Sequence, residues 1–175
     1  INYMKKLVIA LSGPPGAGAS VVGESLAKKL KLEYFSPGKY FKKLSKKRNE
    51  TEAAMSYLKT KEGTSKELHE HIDNLQLKKA RRGNVLVEGS LSIHFLRNLA
   101  DYKIWIDASY DERVKRTSKR DKINVEDALK KVKERENIER ELFKKLYGFD
   151  YFNQKKDADL VIDSSNMTID QVVKK

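Results

Sequence analysis

The feature that most constrains this chain is the run Gly13 to Ser20, which reads GPPGAGAS. It lies between an apolar run, Leu7 to Leu11, and a helix-like segment at 21–30. The run nearly matches the pattern G-x-x-x-x-G-K-[ST]. In that pattern glycines let backbone N–H groups form an anion-binding nest, the lysine reaches the outer phosphates, and the hydroxyl binds magnesium. The run therefore predicts a phosphate-binding loop between a buried strand and a helix.

One position of the loop departs from the pattern, because Ala19 stands where the lysine is expected. Gly13, Gly18 and Ser20 match, and Gly16 adds a further flexible point. The alternative is an ordinary Gly/Pro turn, which the flanking strand and helix disfavour. We predict that the nucleotide phosphates contact the loop and the residue after it, namely Gly13, Pro14, Pro15, Gly16, Ala17, Gly18, Ala19, Ser20 and Val21.

Length and charge limit the possible classes of protein. The chain has 175 residues, which suits one domain, and no apolar run approaches the ~18 residues that a membrane span needs. The chain has no cysteine, which excludes disulfides and thiolate metal sites. A net charge of +12 favours encounter with nucleotides and other polyanions, although a lysine-rich solvated surface would give the same excess. We expect a cytoplasmic protein.

Apolar runs and helix-like segments alternate along the chain. This alternation predicts an α/β fold, a three-layer sandwich in which helices flank a parallel sheet of about five strands. Ligands bind such sheets at the carboxyl ends of the strands. The predicted strands lie at 3–11, 33–36, 84–88, 102–106 and 160–163.

Two helical segments interrupt the alternation, so we predict a single domain with a core, an inserted lobe and a lid. Within the lobe, Ser65 is a candidate N-cap of a long helix that ends near Gly83. The lid contains a long helix at 125–147 whose middle is polar on all sides, which predicts a limb that bridges solvent. The predicted core comprises 1–36, 84–108 and 157–175, the lobe 37–83, and the lid 109–150.

Three arginines begin the lid at helical spacing. Arg113, Arg116 and Arg120 are spaced i, i+3 and i+7, which places their guanidinium groups on one helix face. With a phosphate loop in the same chain we interpret them as phosphate contacts, the alternative being a solvated face. Glu88, at the end of the third strand, also has two interpretations. It is either a carboxylate of a metal site or a plain strand-end residue.

The order of these parts resembles that of a nucleoside monophosphate kinase in the P-loop kinase class, and in particular the short archaeal form of cytidylate kinase. The resemblance covers nearly the whole chain. Besides the loop, it rests on the stretches SPGKYFKKL, LVEGSL, IWIDASYDERVKR, KERENIERELFKKLYGFD and DLVIDSSNMTIDQVV.

The resemblance implies transfer of the γ-phosphoryl group of ATP to CMP or dCMP, with Mg²⁺ as the required ion. Ser20 would hold the magnesium directly, and Glu88 would act on it through water. The arginines implied to close over the phosphates are Arg113, Arg116, Arg120, Arg135 and Arg140. The residues implied to contact the monophosphate, with the inserted lobe, are Ser36, Lys42, Glu88, Gly89 and Ser90.

Four residues depart from the family pattern at positions expected to face phosphate. Ala19 replaces the loop lysine, and arginine is replaced in the acceptor region and in the lid by Lys42, Ser90 and Leu142. Because loss of one preorganised donor typically costs about 10² to 10³ in rate, these departures predict weakened activity. The alternatives are a catalytically impaired nucleotide-binding relative, adenylate kinase-like specificity, and an RNA-binding protein that reuses the scaffold.

Overall fold

The computed structural model describes residues 6–45, 56 and 58–175, without the side chains of residues 41, 42, 44 and 45. Its centre is one parallel sheet in the order β2-β3-β1-β4-β5. The predicted five-stranded parallel sheet is thus confirmed. The strands are β1 (Val8–Ser12), β2 (Glu33–Phe35), β3 (Val85–Glu88), β4 (Tyr102–Asp107) and β5 (Leu160–Asp163).

Helices connect the strands and lie on both faces of the sheet. A 3-10 helix, Tyr151–Asp157, precedes the last strand. The α-helices are α1 (Ala19–Leu30), α2 (Pro37–Ser45), α3 (Lys66–Arg82), α4 (Ser92–Leu96), α5 (Tyr110–Asp121), α6 (Val125–Tyr147) and α7 (Ile169–Lys174).

The central strand β1 explains the three layers. Successive side chains of a strand point to opposite faces, and every residue of β1 is buried. Ile9 and Leu11 pack in a cluster with residues of α1 and α7, whereas Val8 and Ala10 pack in another with residues of α3 and α4. A continuous apolar run is therefore what a strand covered on both faces requires.

Side-chain caps begin most of the helices, but not the helix that follows the loop. The hydroxyl of Ser65 accepts from the backbone N–H of Leu68, which confirms the predicted cap of α3. Asn124 caps α6 in the same way. Helix α1, by contrast, follows Gly18, which has no side chain to offer. The first N–H groups of α1 are therefore available to an anion.

Helix α6 has the predicted bounds, but its charged middle does not bridge solvent, since Glu139 there is 3% exposed. Ala128 and Val132 are buried against Val114 of α5, and Leu142 and Phe143 are buried in an aromatic cluster farther along. The prediction of a middle that bridges solvent is wrong. Charged residues occupy core-facing positions between the two apolar groups, and they concealed the helical stripe in the sequence.

Two single features of the sequence can also be compared with the structure. The place of Trp105 inside the fourth strand predicts a core residue, and its side chain is 2% exposed. The apolar residues Ala53, Ala54, Tyr57 and Leu58 predict a second helix in the inserted lobe, but this segment falls mostly on residues 46–55 and 57, which lie outside the described residues. No helix within the described ranges has both the length and the apolar character needed to cross a membrane.

Candidate active site

The loop after β1 has the backbone geometry of an anion nest. Gly16 and Gly18 have φ angles of 83° and 92°, which L side chains rarely adopt. A Cβ atom on Gly16 would also lie 2.8 Å from the backbone oxygen of Arg113. Glycine is therefore required at Gly16 for space as well as for conformation. The loop leads directly into the uncapped end of α1, so its N–H groups and the helix dipole favour the same anion.

A cavity of about 530 Å³ lies over this loop. It is bounded by the loop, the start of α1, the ends of β3 and β5, and helices α5, α6 and α7. Every residue of the predicted loop, from Gly13 to Val21, lines it. The other lining residues are Val22, Glu88, Ser90, Glu112, Arg116, Thr117, Arg120, Arg135, Ser164, Met167, Thr168, Ile169 and Val172.

Glu88 is held in place at the end of β3, beside the loop. Its Oε2 atom accepts hydrogen bonds from the hydroxyls of Tyr34, at 2.9 Å, and Ser36, at 3.0 Å. Burial and the adjacent charge of Glu88 raise the pKa of Tyr34 well above its usual value, so the phenol remains a donor. Ser36, predicted to contact substrate, donates to this carboxylate and is not among the residues that line the cavity. It therefore positions Glu88.

The site suits a magnesium ion that is bound mainly by substrate phosphate and water. Among the residues that the structure describes, no three His, Asp or Glu side chains cluster closely enough to hold a metal by themselves. Ser20 and Glu88 nevertheless line the same cavity as the nest. Magnesium typically uses one or two protein oxygens and retains several waters, and these two side chains can provide such oxygens.

Arg116 is tied to the polypeptide that surrounds the cavity. Its guanidinium group donates to the backbone oxygen of Ala17 at 2.9 Å and to that of Ser164 at 2.6 Å. Glu112, one turn earlier in α5, accepts from its Nε atom at 3.0 Å. Arg116 therefore links the phosphate loop to the segment that follows β5, while also lining the cavity.

Arg120 and Arg135 also line the large cavity. Arg120 donates to the neighbouring Asp121, and Arg135 donates from Nε to Glu139 at 2.8 Å. Glu139 is 3% exposed and accepts at its other oxygen from Ser90 and Tyr151. The buried carboxylate of Glu139 explains how α6 holds Arg135 at the cavity, although the surroundings of that arginine are apolar.

Arg113 and Arg140 do not line the cavity. Arg113 is buried beneath the loop, where Nη1 donates to the backbone oxygen of Pro15 at 3.2 Å and to Glu136 at 2.9 Å. Arg140 forms an ion pair with Asp150. The three arginines on this helix face therefore differ in position. Arg113 supports the loop, whereas Arg116 and Arg120 line the cavity.

Removing the charge of Glu136 should destabilise the protein. The variant Glu136→Gln leaves the buried guanidinium of Arg113 without its carboxylate, and such losses cost about 3 kcal/mol. For a chain of this size the melting temperature should fall by about 6 to 12 °C. Glu141→Gln, an exposed change on the same helix, is the matched control for thermal unfolding. Equal, small shifts in both variants would contradict a supporting role for the pair.

The positions that depart from the family pattern have different surroundings. Ala19 is the first residue of α1 and, like Ser90, lines the cavity. Leu142 is buried in the aromatic cluster, so the inference that this departure faces phosphate is wrong. The side chain of Lys42 lies outside the described residues. Gly89 lies against the ring of Pro37, since a Cβ atom there would be 3.1 Å from it.

A second, smaller cavity of about 60 Å³ adjoins the first. It lies between the start of α2, helix α3, the segment after β3 and helix α6. Ser90 and Arg135 line both cavities, so these residues mark where the two meet. Two ligands could therefore approach each other at this junction from opposite sides.

Sequence reasoning missed several groups around the two cavities. Glu112 and Ser164 fix Arg116, and Glu139 fixes Arg135. The i,i+4 spacing of Glu112 with Arg116 and of Arg135 with Glu139 could have revealed two of these pairs. The contact with Ser164 joins residues 48 positions apart, and no local pattern indicates it.

The sheet order and the nest between β1 and α1 define the class as a P-loop kinase fold. Solved structures agree. A shikimate kinase from Acinetobacter baumannii superposes with a TM-score of 0.63 at 15% identity, covering 98% of this chain and 91% of that one. A protein of uncharacterized function from Eubacterium ventriosum gives a TM-score of 0.70 at 16% identity, covering 97% and 94%. At these identities the likeness establishes the fold alone.

The sequence comparisons define the family. The model of the cytidylate kinase-like family matches residues 8–166, and this chain belongs to that family. A cytidylate kinase of Ignicoccus hospitalis is 38% identical over 168 residues, which cover 95% of this chain and 94% of that protein. A cytidylate kinase of Pyrobaculum neutrophilum is 37% identical, covering 96% and 89%.

Proposed function

We propose that this protein transfers the γ-phosphoryl group of ATP to CMP or dCMP. The observation that carries the proposal is the junction of the two cavities at Ser90 and Arg135. The large cavity contains the phosphate nest and would receive ATP, and the small one would receive the monophosphate. Membership of a family whose relatives are named cytidylate kinase supports the same assignment.

In this proposal the chain acts by positioning phosphates and neutralising their charge, which is most of what phosphoryl transfer requires. The N–H groups of the loop and of α1 bind the phosphates of ATP. Arg120 and Arg135 neutralise charge from the cavity wall, while Arg113 and Arg116 hold the loop in shape. Ser20 and Glu88 would hold magnesium, which supplies charge neutralisation at the transferred group.

Ala19 makes the proposed activity weaker than that of a kinase with the loop lysine. Its methyl group cannot reach a phosphate oxygen, so the nest acts without the point charge that the pattern normally provides. If the remaining groups do not compensate, the protein binds nucleotide without turnover. That impaired form is the second candidate function, and Ala19 in the cavity wall is the observation that favours it. Nothing among the described residues adds support for RNA binding, and we do not propose it.

A coupled assay with ATP and Mg²⁺ tests the proposal, with CMP, dCMP, UMP and AMP as acceptors. We expect turnover with CMP and dCMP above the other two. Absence of turnover with every acceptor, accompanied by a rise in melting temperature with ATP or CMP, would favour the impaired form, since a ligand that binds only the folded state stabilises it. Absence of both effects would reject the two candidates together.

A further inference from the structure

Besides His69, whose ring contacts the backbone oxygen of Gly63, two buried polar side chains of helix α3 line the small cavity. Asp73 and Gln76 are three positions apart, on one face of the helix, and are 9% and 2% exposed. Both line the cavity. Buried carboxylates and amides are unusual unless their polar atoms are paired, so the partners of these two indicate their purpose.

Each of the two side chains uses one of its two polar atoms in a hydrogen bond within the fold. The hydroxyl of Tyr147 donates to Oδ2 of Asp73 at 2.6 Å, and the hydroxyl of Ser92 donates to Oε1 of Gln76 at 2.8 Å. Within the described part of the chain, Oδ1 of Asp73 and Nε2 of Gln76 have no hydrogen-bond partner. The fold thus fixes both side chains and leaves one acceptor and one donor on the same face of α3, in the lining of one cavity.

An acceptor and a donor in the lining of one cavity match the hydrogen-bonding edge of cytosine. Cytosine presents the N4 amine as a donor, with acceptors at N3 and O2 beside it, and carboxylates accept from that amine. Uracil presents the reverse order, with O4 as an acceptor and N3–H as a donor, so its O4 would face the carboxylate of Asp73. Adenine has the cytosine order but a second ring, for which a cavity of about 60 Å³ leaves less room.

The position of the pair relative to the large cavity agrees with an acceptor base. Ser90 and Arg135 lie at the junction with the large cavity, whereas Asp73 and Gln76 line only the small one. A monophosphate with its phosphate at the junction would therefore place its base toward α3.

We propose that Asp73 and Gln76 are the residues that select cytosine as the acceptor base, with Asp73 accepting from N4 and Gln76 donating to the ring edge. The proposal rests on the proposed function, because it names the substrate specificity of the same site. Tyr147 and Ser92 are positioning residues in this scheme, since each acts through the side chain that it holds.

The protonation of Asp73 should affect this selection. Burial raises the pKa of Asp73 to about 6. The hydrogen bond from Tyr147 opposes this rise in the pKa, and the negative charge of Glu70 adds to it. Above pH 6 the carboxylate only accepts, which favours cytosine. Below pH 6 the neutral acid can also donate to O4 of uracil, so the preference for CMP over UMP should shrink as the pH falls.

Other charged groups also face Asp73 or line the small cavity. They are His69 and Glu70 on α3, and Arg135 and Glu139 on α6. Burial lowers the pKa of His69, which favours the neutral form of its ring. The ratio of the CMP and UMP dissociation constants cancels effects common to both ligands, including titration of their phosphates. In Asp73→Asn the ratio should no longer change between pH 5 and 8.

The decisive experiment measures CMP and UMP binding by calorimetry at pH 7.5, alongside the turnover assay. The native chain should prefer CMP, and Asp73→Asn should reduce that preference by about 10-fold or more, because an amide can present either a donor or an acceptor. Gln76→Glu should weaken CMP binding by a similar factor, while the glutamate can still accept from Ser92. Glu67→Gln, an exposed change on the same helix, should leave the ratio unchanged.

The outcomes separate base selection from the proposed reaction. Selective CMP binding that Asp73→Asn abolishes, without any turnover, would support base selection and reject the kinase proposal. Turnover of CMP with a CMP-to-UMP ratio equal in the native chain and in folded Asp73→Asn would reject base selection and keep the kinase. Melting temperatures identify any variant that fails to fold, and Gln76→Glu then provides the independent test. Unchanged CMP binding in Gln76→Glu would also count against the proposal.

Discussion

Ala19→Lys is expected to raise kcat for phosphoryl transfer to CMP by about 10², the size of effect that one preorganised phosphate donor typically has. Ala19 begins α1 and is 7% exposed in the core, but it also lines the large cavity, into which a longer side chain can extend. The added ammonium group would reach the outer phosphates, where the transferred charge develops. The measurement is steady-state turnover with ATP, Mg²⁺ and CMP.

The control for this gain of function is Ala19→Met, which matches the length of lysine without its charge. It should leave kcat within a few-fold of the native value. An equal increase in both variants would attribute the effect to packing at the start of α1. No increase with lysine would mean that the site already obtains its charge elsewhere, for which the arginines that line the cavity, Arg116, Arg120 and Arg135, are the candidates.

Glu88→Gln is expected to lower kcat by about 10², the usual upper range for loss of a carboxylate that acts on a metal through its water. The amide oxygen can still accept from Tyr34 and Ser36, so the local hydrogen bonds and the end of β3 should persist. The charge that favours a cation beside Ser20 would be lost. The Mg²⁺ concentration for half-maximal rate should therefore rise together with the fall in kcat.

Tyr34→Phe is the matched control for the carboxylate. It removes one of the two hydroxyl donors to Oε2 and keeps the negative charge, so kcat should fall less than 10-fold and the Mg²⁺ dependence should shift little. If Glu88→Gln lowered the melting temperature without changing the Mg²⁺ dependence, Glu88 would be a structural strand-end residue, which is the alternative that the sequence left open.

The fold was largely predictable because its signals are local. The glycines of the loop, the continuous apolar run of β1 and the cap at Ser65 each act within a few residues. The long helix α6 shows where such reasoning fails. Its bounds were correct, but Arg135 and Glu139 interrupt its apolar stripe and disguised a buried face. Those two residues break the helical pattern at the cavity junction, where function can outweigh local consistency.

The candidate site was predictable only in part. The loop from Gly13 to Val21 and Glu88 could be placed from sequence, because the end of a strand fixes where its next residues emerge. The separate positions of Arg113 and Arg116 could not. They lie on one helix face, yet one supports the loop from below through Pro15 and the other joins it to Ser164.

The sequence by itself determined the order of strands and helices, the phosphate nest and the missing lysine at Ala19, since each depends on residue type and short spacing. Only the tertiary structure decided which charged groups line the two cavities and which groups support them. It also brought Asp73 of α3 within hydrogen-bonding distance of Tyr147, 74 positions later in the chain. Such partners are set by packing between elements that are distant in the chain. No local pattern of residues in the sequence indicates which distant side chains will meet.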